Sequence, residues 1–291
     1  MELKNITIED SELFKKYLNI NKYYNSEYNF TTLFAWQEAY KIRHTIIHDC
    51  LCIFGEDSGR EYSYFPLGEK QNVEKALCFI RQYFRDNNKT FLLISLSEQM
   101  LASIVEENLT EQFKILPQRG FYDYVYEAEK LITFSGKKLN AKRNHLNYFY
   151  NNYEYQFVDL TKENESACEE KFRQLIFDRS LDSSSEFLAT MKILKNRDKM
   201  DLIGKVLYVD GKIIGIILGQ YHHGMALIEI AKADIDYRGA SVALFQLFLK
   251  DNLTDCKEVN LMEDLGIEGL RKVKLSYKPA YLIEKFSLEE K

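Results

Sequence analysis

The sequence predicts an α/β (α+β) chain of two halves, each a mixed, largely antiparallel sheet flanked by helices. Three observations carry that expectation. The 291 residues exceed one domain of about 150, so two domains fit the length. Short apolar runs of strand character alternate along the chain with segments of helical apolar spacing. The C-terminal third runs hairpin, strand, glycine-bearing turn, helix, strand, helix, strand. Apolar residues at 46% and charged residues at 29% supply both a core and a solvated surface. Only 3 prolines and 13 glycines argue against long disordered linkers.

Taken in order, 9–20 reads as a helix and 30–40 as a second, with Phe30, Phe34 and Ala35 on one face. Strands are expected at 42–47, 50–55 and 62–66, with a turn over 55–59. Helical spacing returns at 72–87 (Val73, Ala76, Leu77, Ile80, Phe84). A strand at 90–94, a helix at 97–107 and a strand at 122–126 complete a first half, 1–135. The basic stretch 136–153 reads as a connector helix. The second half, 154–291, opens with a strand at 155–160 and helices at 163–180 and 184–196. Asp210-Gly211 between apolar runs 205–209 and 212–220 is a strong hairpin signature. A strand at 224–232, a helix to about 252, a strand at 258–261, a short helix at 269–275 and a last strand at 281–286 follow.

The net charge of -5 argues against a protein that coats nucleic acid generally, though not against a local basic patch. No apolar run reaches the ~18 residues of a membrane span. The first residues lack the basic-then-apolar layout of a leader, so a cytoplasmic address is expected. Cys50, Cys52, Cys78, Cys168 and Cys256 are scattered and odd in number, which predicts buried free thiols rather than disulfides. Without a second Cys/His pair at ligand spacing, and with His222-His223 alone at a hairpin end, no metal site is expected. There is no Gly-x-Ser-x-Gly elbow, no Walker-type phosphate loop and no dinucleotide fingerprint.

Several residues carry chemistry. Arg238-Gly239-Ala240-Ser241 opens a helix whose free N–H groups would face an anionic carrier; as a bland alternative, it is a plain helix start in which Gly239 relieves crowding and Ser241 caps. Glu263-Asp264 follows a central strand, where a carboxylate can face a splay between strands and act as general base; as a bland alternative, it caps the next helix. Lys274 could meet phosphate, and Tyr277 could protonate a leaving group. Glu229 interrupts an apolar strand and is a second base candidate. Lys138, Lys142 and His145 form one helical stripe with Arg143 adjacent, a surface for tRNA or other phosphates. A solvated connector face is the alternative.

The element order resembles the GCN5-related N-acetyltransferase (GNAT) fold, whose acyl-donor turn corresponds here to Arg238–Ser241, with Ser241 and Ala243 standing where that family often has glycine. A closer resemblance rests on YNFTTLFAW (28–36), SGKKLNAKRNHLN (135–147), EDLGIEGLRK (263–272) and KLSYKP (274–279). These segments resemble a bacterial family similar to the C-terminal synthase domain of phosphatidylglycerol lysyltransferases, within the tandem GNAT-like, Fem-type superfamily. The resemblance implies transfer of an acyl or aminoacyl group from acyl-coenzyme A or aminoacyl-tRNA to an amine or hydroxyl acceptor, on a small molecule, lipid headgroup or peptide. No covalent enzyme intermediate is needed. The alternative is a non-catalytic module that binds an acyl carrier, tRNA or peptide.

Overall fold

The computed structural model describes residues 1–104, 112–177 and 183–291. The chain divides into two compact units, Met1–Asp123 with Ile283–Lys291, and Tyr124–Leu282.

The first unit is built on strands β1 (Lys4–Asn5), β2 (Arg43–Ile47), β3 (Cys50–Asp57), β4 (Arg60–Ser63), β5 (Leu92–Leu96) and β6 (Phe113–Pro117). Its helices are α1 (Ser11–Asn21), α2 (Phe30–Trp36), α3 (Lys70–Asp86) and α4 (Glu98–Ile104). The second unit carries β7 (Asp123–Glu127), β8 (Tyr155–Asp159), β9 (Ile203–Val209), β10 (Lys212–His222), β11 (Met225–Ala233), β12 (Glu258–Asn260) and β13 (Tyr281–Ile283). Its helices are α5 (Ala128–Thr133), α6 (Asn140–Asn152), α7 (Lys162–Phe177), α8 (Ser183–Asn196), α9 (Ala240–Asn252) and α10 (Glu268–Ser276). The last strand, β14 (Phe286–Glu290), belongs to the first sheet.

Among the described residues each sheet has seven strands, in the orders β1-β2-β3-β4-β5-β14-β6 and β13-β7-β12-β11-β10-β9-β8. Both are mixed and mostly antiparallel; β4 with β5 and β11 with β12 are parallel pairs. Turn chemistry fixes the β9–β10 hairpin: Asp210 and Gly211 both take positive φ, the requirement of a type I′ turn. The core of the second unit forms where α9 buries Ala243, Leu244, Phe248 and Leu249 against β10 and β11, with Leu146 and Phe149 of α6 on the same cluster.

Four expectations change. The units divide at Asp123/Tyr124 rather than at 135, and α6 packs on α9 inside the second unit instead of linking two halves, because Leu139, Leu146 and Phe149 bury there. The single strand expected at 281–286 is two strands in different sheets. Gly55 lies within β3, not in a turn; it faces Tyr62 across β4, and a Cβ there would come within 2.4 Å of the Tyr62 ring. Strand β6 and helix α5 had no counterpart in the periodicity. The expected helix ends at 105–107 and 178–180 lie outside the described residues. Cys50, Cys52, Cys168 and Cys256 are buried free thiols, whereas Cys78 is exposed.

Candidate active site

The parallel pair β11–β12 is short. Its ladder joins only Ala226 to Val259 and Leu227 to Asn260, while β11 runs on to Ala233. Past Asn260 the chain therefore parts from β11 but stays on β7: Leu261 N–H donates to the Tyr124 carbonyl at 3.0 Å and Tyr124 N–H to the Met262 carbonyl at 3.1 Å, and the segment 261–267 starts there. Met262 and Leu265 sit in the left-handed region at φ 60° and 52°, a costly conformation for non-glycine residues that persists only where surroundings hold it. Several contacts hold it here. The Asn260 Oδ1 accepts the Met262 N–H at 2.7 Å. The Lys274 ammonium donates to the carbonyls of Leu261 and Met262, the second at 3.3 Å.

Asp264 is the centre of this hold. It is fully buried and accepts from Tyr124 Oη at 2.6 Å, Arg271 Nε at 2.8 Å, Arg271 NH2 at 2.9 Å and the Gly266 N–H at 2.8 Å. Burial alone would raise its pKa, but the hydrogen bonds from Arg271, Tyr124 and the Gly266 amide win and lower it to about 2. A carboxylate so stabilised is a poor proton acceptor and a good anchor. The half-buried Glu263 is its neighbour in this segment.

Tyr277, at the end of α10, is buried among aromatic rings, with Tyr126, Phe134 and Phe245 centroids at 6.4, 6.2 and 5.9 Å. Burial pushes its phenol up, so it stays protonated at neutral pH. The Lys142 ammonium of α6 stands 3.7 Å from the ring centroid of Tyr277.

The glycine-bearing turn opens α9 as expected, but three of its amides are engaged. Ala240 N–H donates to the Tyr237 carbonyl at 3.0 Å; Val242 and Ala243 N–H donate to the Gly239 carbonyl at 3.0 and 2.9 Å. Gly239 has φ +91°, and a Cβ there would lie 2.2 Å from the His145 carbonyl oxygen. Close approach of α6 thus explains the glycine. A carbonyl oxygen pressed on this turn also opposes a pyrophosphate from that side. Ser241 is exposed, and Arg238 lies over the Tyr148 ring at 4.4 Å.

Glu229 occupies a β-bulge. Leu218 opposes Ile230 and Gly219 opposes Ile228, leaving Glu229 as the extra residue. Bulges re-aim side chains and recur beside active sites. Gln220 Nε2 donates to its carboxylate at 2.6 Å.

The family described as "Phosphatidylglycerol lysyltransferase, C-terminal" matches residues 19–289. The chain belongs to this family. Within its fold, a conserved protein of unknown function from Bacteroides thetaiotaomicron is 28% identical, with a TM-score of 0.92 over 100% of both chains. L-PGS from Bacillus licheniformis shares the fold at 16% identity and TM-score 0.68, covering 97% of this chain and 92% of its own. A tandem GNAT protein from the clavulanic acid biosynthesis pathway matches at TM-score 0.51 and 10% identity over 99% and 98% of the two chains. The fold is accordingly tandem GNAT-like. An uncharacterized protein of Mycoplasmoides gallisepticum is 27% identical over 169 residues, 56% of this chain. The match spans about half the length of that curated relative, 54%.

In this lysyltransferase-family chain the expected cationic stripe is divided. Lys138 and His145 are exposed. Arg143 turns inward to the Phe134 carbonyl and to Asn140 Oδ1 at 3.0 Å, and Lys142 lies on Tyr277. The backbone explains the split: Lys138 lies in a short turn, Lys137–Leu139, before α6 begins at Asn140, so it does not share one continuous helix with Lys142, which packs on the Tyr277 ring. Sequence reading passed over Tyr124 and Arg271, the partners of Asp264; the arginine lies seven residues on, two turns away on the helix that follows. It also passed over a buried charge cluster in the first unit. Lys285 Nζ is 2.7 Å from Asp123 Oδ1, 2.6 Å from Glu27 Oε2 and 3.2 Å from Ser26 Oγ; Lys285 and Asp123 are fully buried. No pattern in the sequence joins Ser26-Glu27, Asp123 and Lys285. Among the described residues no group of three or more His, Cys, Asp and Glu side chains is arranged to hold a metal, and no helix is long and apolar enough to cross a membrane.

Proposed function

We propose that the chain transfers an aminoacyl group from an aminoacyl-tRNA to a hydroxyl or amine acceptor on a lipid headgroup or peptide. The observation that carries this reading is the family match over residues 19–289, since the family's description names transfer of a lysyl group to phosphatidylglycerol. In the reaction the acceptor oxygen or nitrogen attacks the ester carbonyl. A new ester or amide bond forms, the bond to the terminal ribose oxygen breaks, and the acceptor's proton ends on that oxygen. Glu263 and Glu229 are the candidate proton acceptors beside the splayed strands, and Tyr277, kept protonated by burial, is the candidate donor. Asp264 and Lys274 position the 261–267 segment. Exposed Lys138 and His145 meet tRNA phosphates. The engaged amides of Ala240, Val242 and Ala243, with the His145 carbonyl pressed on Gly239, favour an aminoacyl ester over acyl-coenzyme A, whose pyrophosphate would draw on such amides.

The same engaged turn supports a second reading, a non-catalytic module that binds an acyl carrier, tRNA or peptide. Turnover separates the two. The chain is incubated with tRNA charged with single radiolabelled amino acids, or with labelled acetyl-coenzyme A, and with vesicles containing phosphatidylglycerol or an amine-bearing peptide. Label moving into lipid or peptide supports transfer, and Glu263→Gln or Tyr277→Phe is expected to slow it about 100-fold. Donor binding without any transfer selects the module. Undiminished transfer in Glu263→Gln removes that residue from the mechanism.

A further inference from the structure

At the turn into α9 three amides are spent and the His145 carbonyl presses on Gly239. Beside that turn lies a surface of another kind. Tyr148 near the end of α6, Tyr153 just past it and Tyr237 in the turn itself form a row of half-buried rings. The centroids of Tyr148 and Tyr153 are 6.3 Å apart, and those of Tyr153 and Tyr237 5.5 Å. Fully buried Phe149, 5.3 Å from Tyr153, ties the row to the core of the second unit. The row is packed beneath and open above. Exposed Arg238 lies across its end, 4.4 Å from the Tyr148 ring, and His145 is exposed one turn before Tyr148 on α6. Among the described residues the phenols of Tyr148, Tyr153 and Tyr237 form no hydrogen bond and Arg238 forms no ion pair. The neighbouring Tyr150 hydroxyl, by contrast, donates to Gln246 Oε1 at 2.6 Å.

We propose that Tyr148, Tyr153, Tyr237 and Arg238 form a binding site for unpaired nucleotides, and that the single-stranded 3′ end of tRNA occupies it. The choice of tRNA rests on the aminoacyl-tRNA donor of the proposed function; the stacking chemistry does not.

A base presents two flat faces, and stacking on an aromatic side chain contributes about 1–3 kcal/mol per base whatever the base. The guanidinium of Arg238 offers a planar fork of donors to the phosphate that joins two bases. The same guanidinium repels a cationic ligand, and rings edged with open phenols suit a flat polar ligand better than an acyl chain. In a duplex the base faces are spent on their own stack, so the ligand is single-stranded. Glu154 and Asp236, next in sequence to Tyr153 and Tyr237, are exposed carboxylates. They limit attraction of the nucleic-acid backbone, so stacking carries the affinity and its salt dependence is shallow.

The test titrates the uncharged ribotetranucleotide ACCA, the sequence of an unpaired tRNA end, into the full chain by calorimetry, with coenzyme A as the second arm. ACCA is expected to bind, with the salt slope of about one phosphate contact. Tyr148→Leu and Tyr237→Leu lose a ring face and keep bulk, and should each weaken binding about 5- to 100-fold. Tyr148→Phe should bind as the parent does. Arg238→Gln should weaken binding and flatten the salt slope. Melting curves check that each variant folds, and Arg238→Gln, altered at an exposed side chain, keeps the test readable should a tyrosine variant unfold. No binding of ACCA overturns the proposal, as does equal binding by the parent and by every variant that folds. Coenzyme A binding through these rings while ACCA stays silent overturns it too. A chain that transfers an aminoacyl group yet ignores ACCA loses this site alone. One that binds ACCA through these rings and transfers nothing from charged tRNA keeps the site and loses the transfer reading.

Discussion

Asp264 stays ionised down to about pH 2 because Arg271, Tyr124 and the Gly266 amide outweigh its burial. Its ordinary pKa of 3.8 is higher, so the folded state gains stability above pH 4 and loses it as pH falls from 4 toward 2. The shift corresponds to about 2 kcal/mol at neutral pH. Asp264→Asn should lower stability at pH 7 by about that amount and flatten the acid limb, measured as urea midpoints from pH 2 to 7. A variant whose acid limb parallels the parent's would contradict the assignment. His44 works in the opposite sense of charge. Burial lowers its pKa, with Asp10 at 3.6 Å only partly opposing, so the unfolded chain takes up the proton more readily. Its contribution is full at pH 8 and declines as pH falls through the ordinary histidine range near 6.5. His44→Gln should reduce the drop in melting temperature between pH 7.5 and pH 5.5. The carboxylate at 264 was legible from its place after a strand. Its saturation was not, because Tyr124 is 140 positions away and burial cannot be read from type alone.

At the scale of elements, two glycines separate backbone need from space. Gly211 takes φ +73° at the β9–β10 hairpin and nothing lies within 4 Å of a Cβ there. Gly239 takes φ +91° and meets the α6 backbone. Gly211→Ala should therefore cost only the conformational term, about 1 kcal/mol. Gly239→Ala adds an overlap with a carbonyl that cannot swing aside, and should cost about 3 kcal/mol or more. Thermal melts of the two variants side by side test this; equal losses would mean α6 yields easily. The Asp210-Gly211 hairpin was readable because turn chemistry is local. At 239 the sequence left two readings, an anion site or a crowded helix start, and the proximity of the α6 backbone supplies the crowding. Helix α5 escaped because its six residues span too few turns for a period to show.

At the scale of the molecule, the first unit is closed by a strand from the far end of the sequence. β14 lies between β5 and β6, pairing Leu288 with Leu93 on one side and with Ile115 on the other. Sequence pattern shows Phe286–Glu290 alternating, but no local signal names partners more than 160 residues earlier. Just before this strand, Lys285 sits in its buried cage with Asp123, Glu27 and Ser26. Removing one partner of a buried ion pair strands the other, at about 3–5 kcal/mol. Lys285→Met should therefore unfold the first sheet locally before the second. Hydrogen exchange reads this directly: amides of β5, β6 and β14 should lose protection while those of β9, β10 and β11 keep theirs. Adding Asp123→Asn to Lys285→Met should recover part of the loss, since one of the two carboxylates left without their cation is then neutral and only Glu27 remains. Equal loss of protection in both sheets, or no recovery in the double variant, would show that Lys285 does not act through this charge pairing.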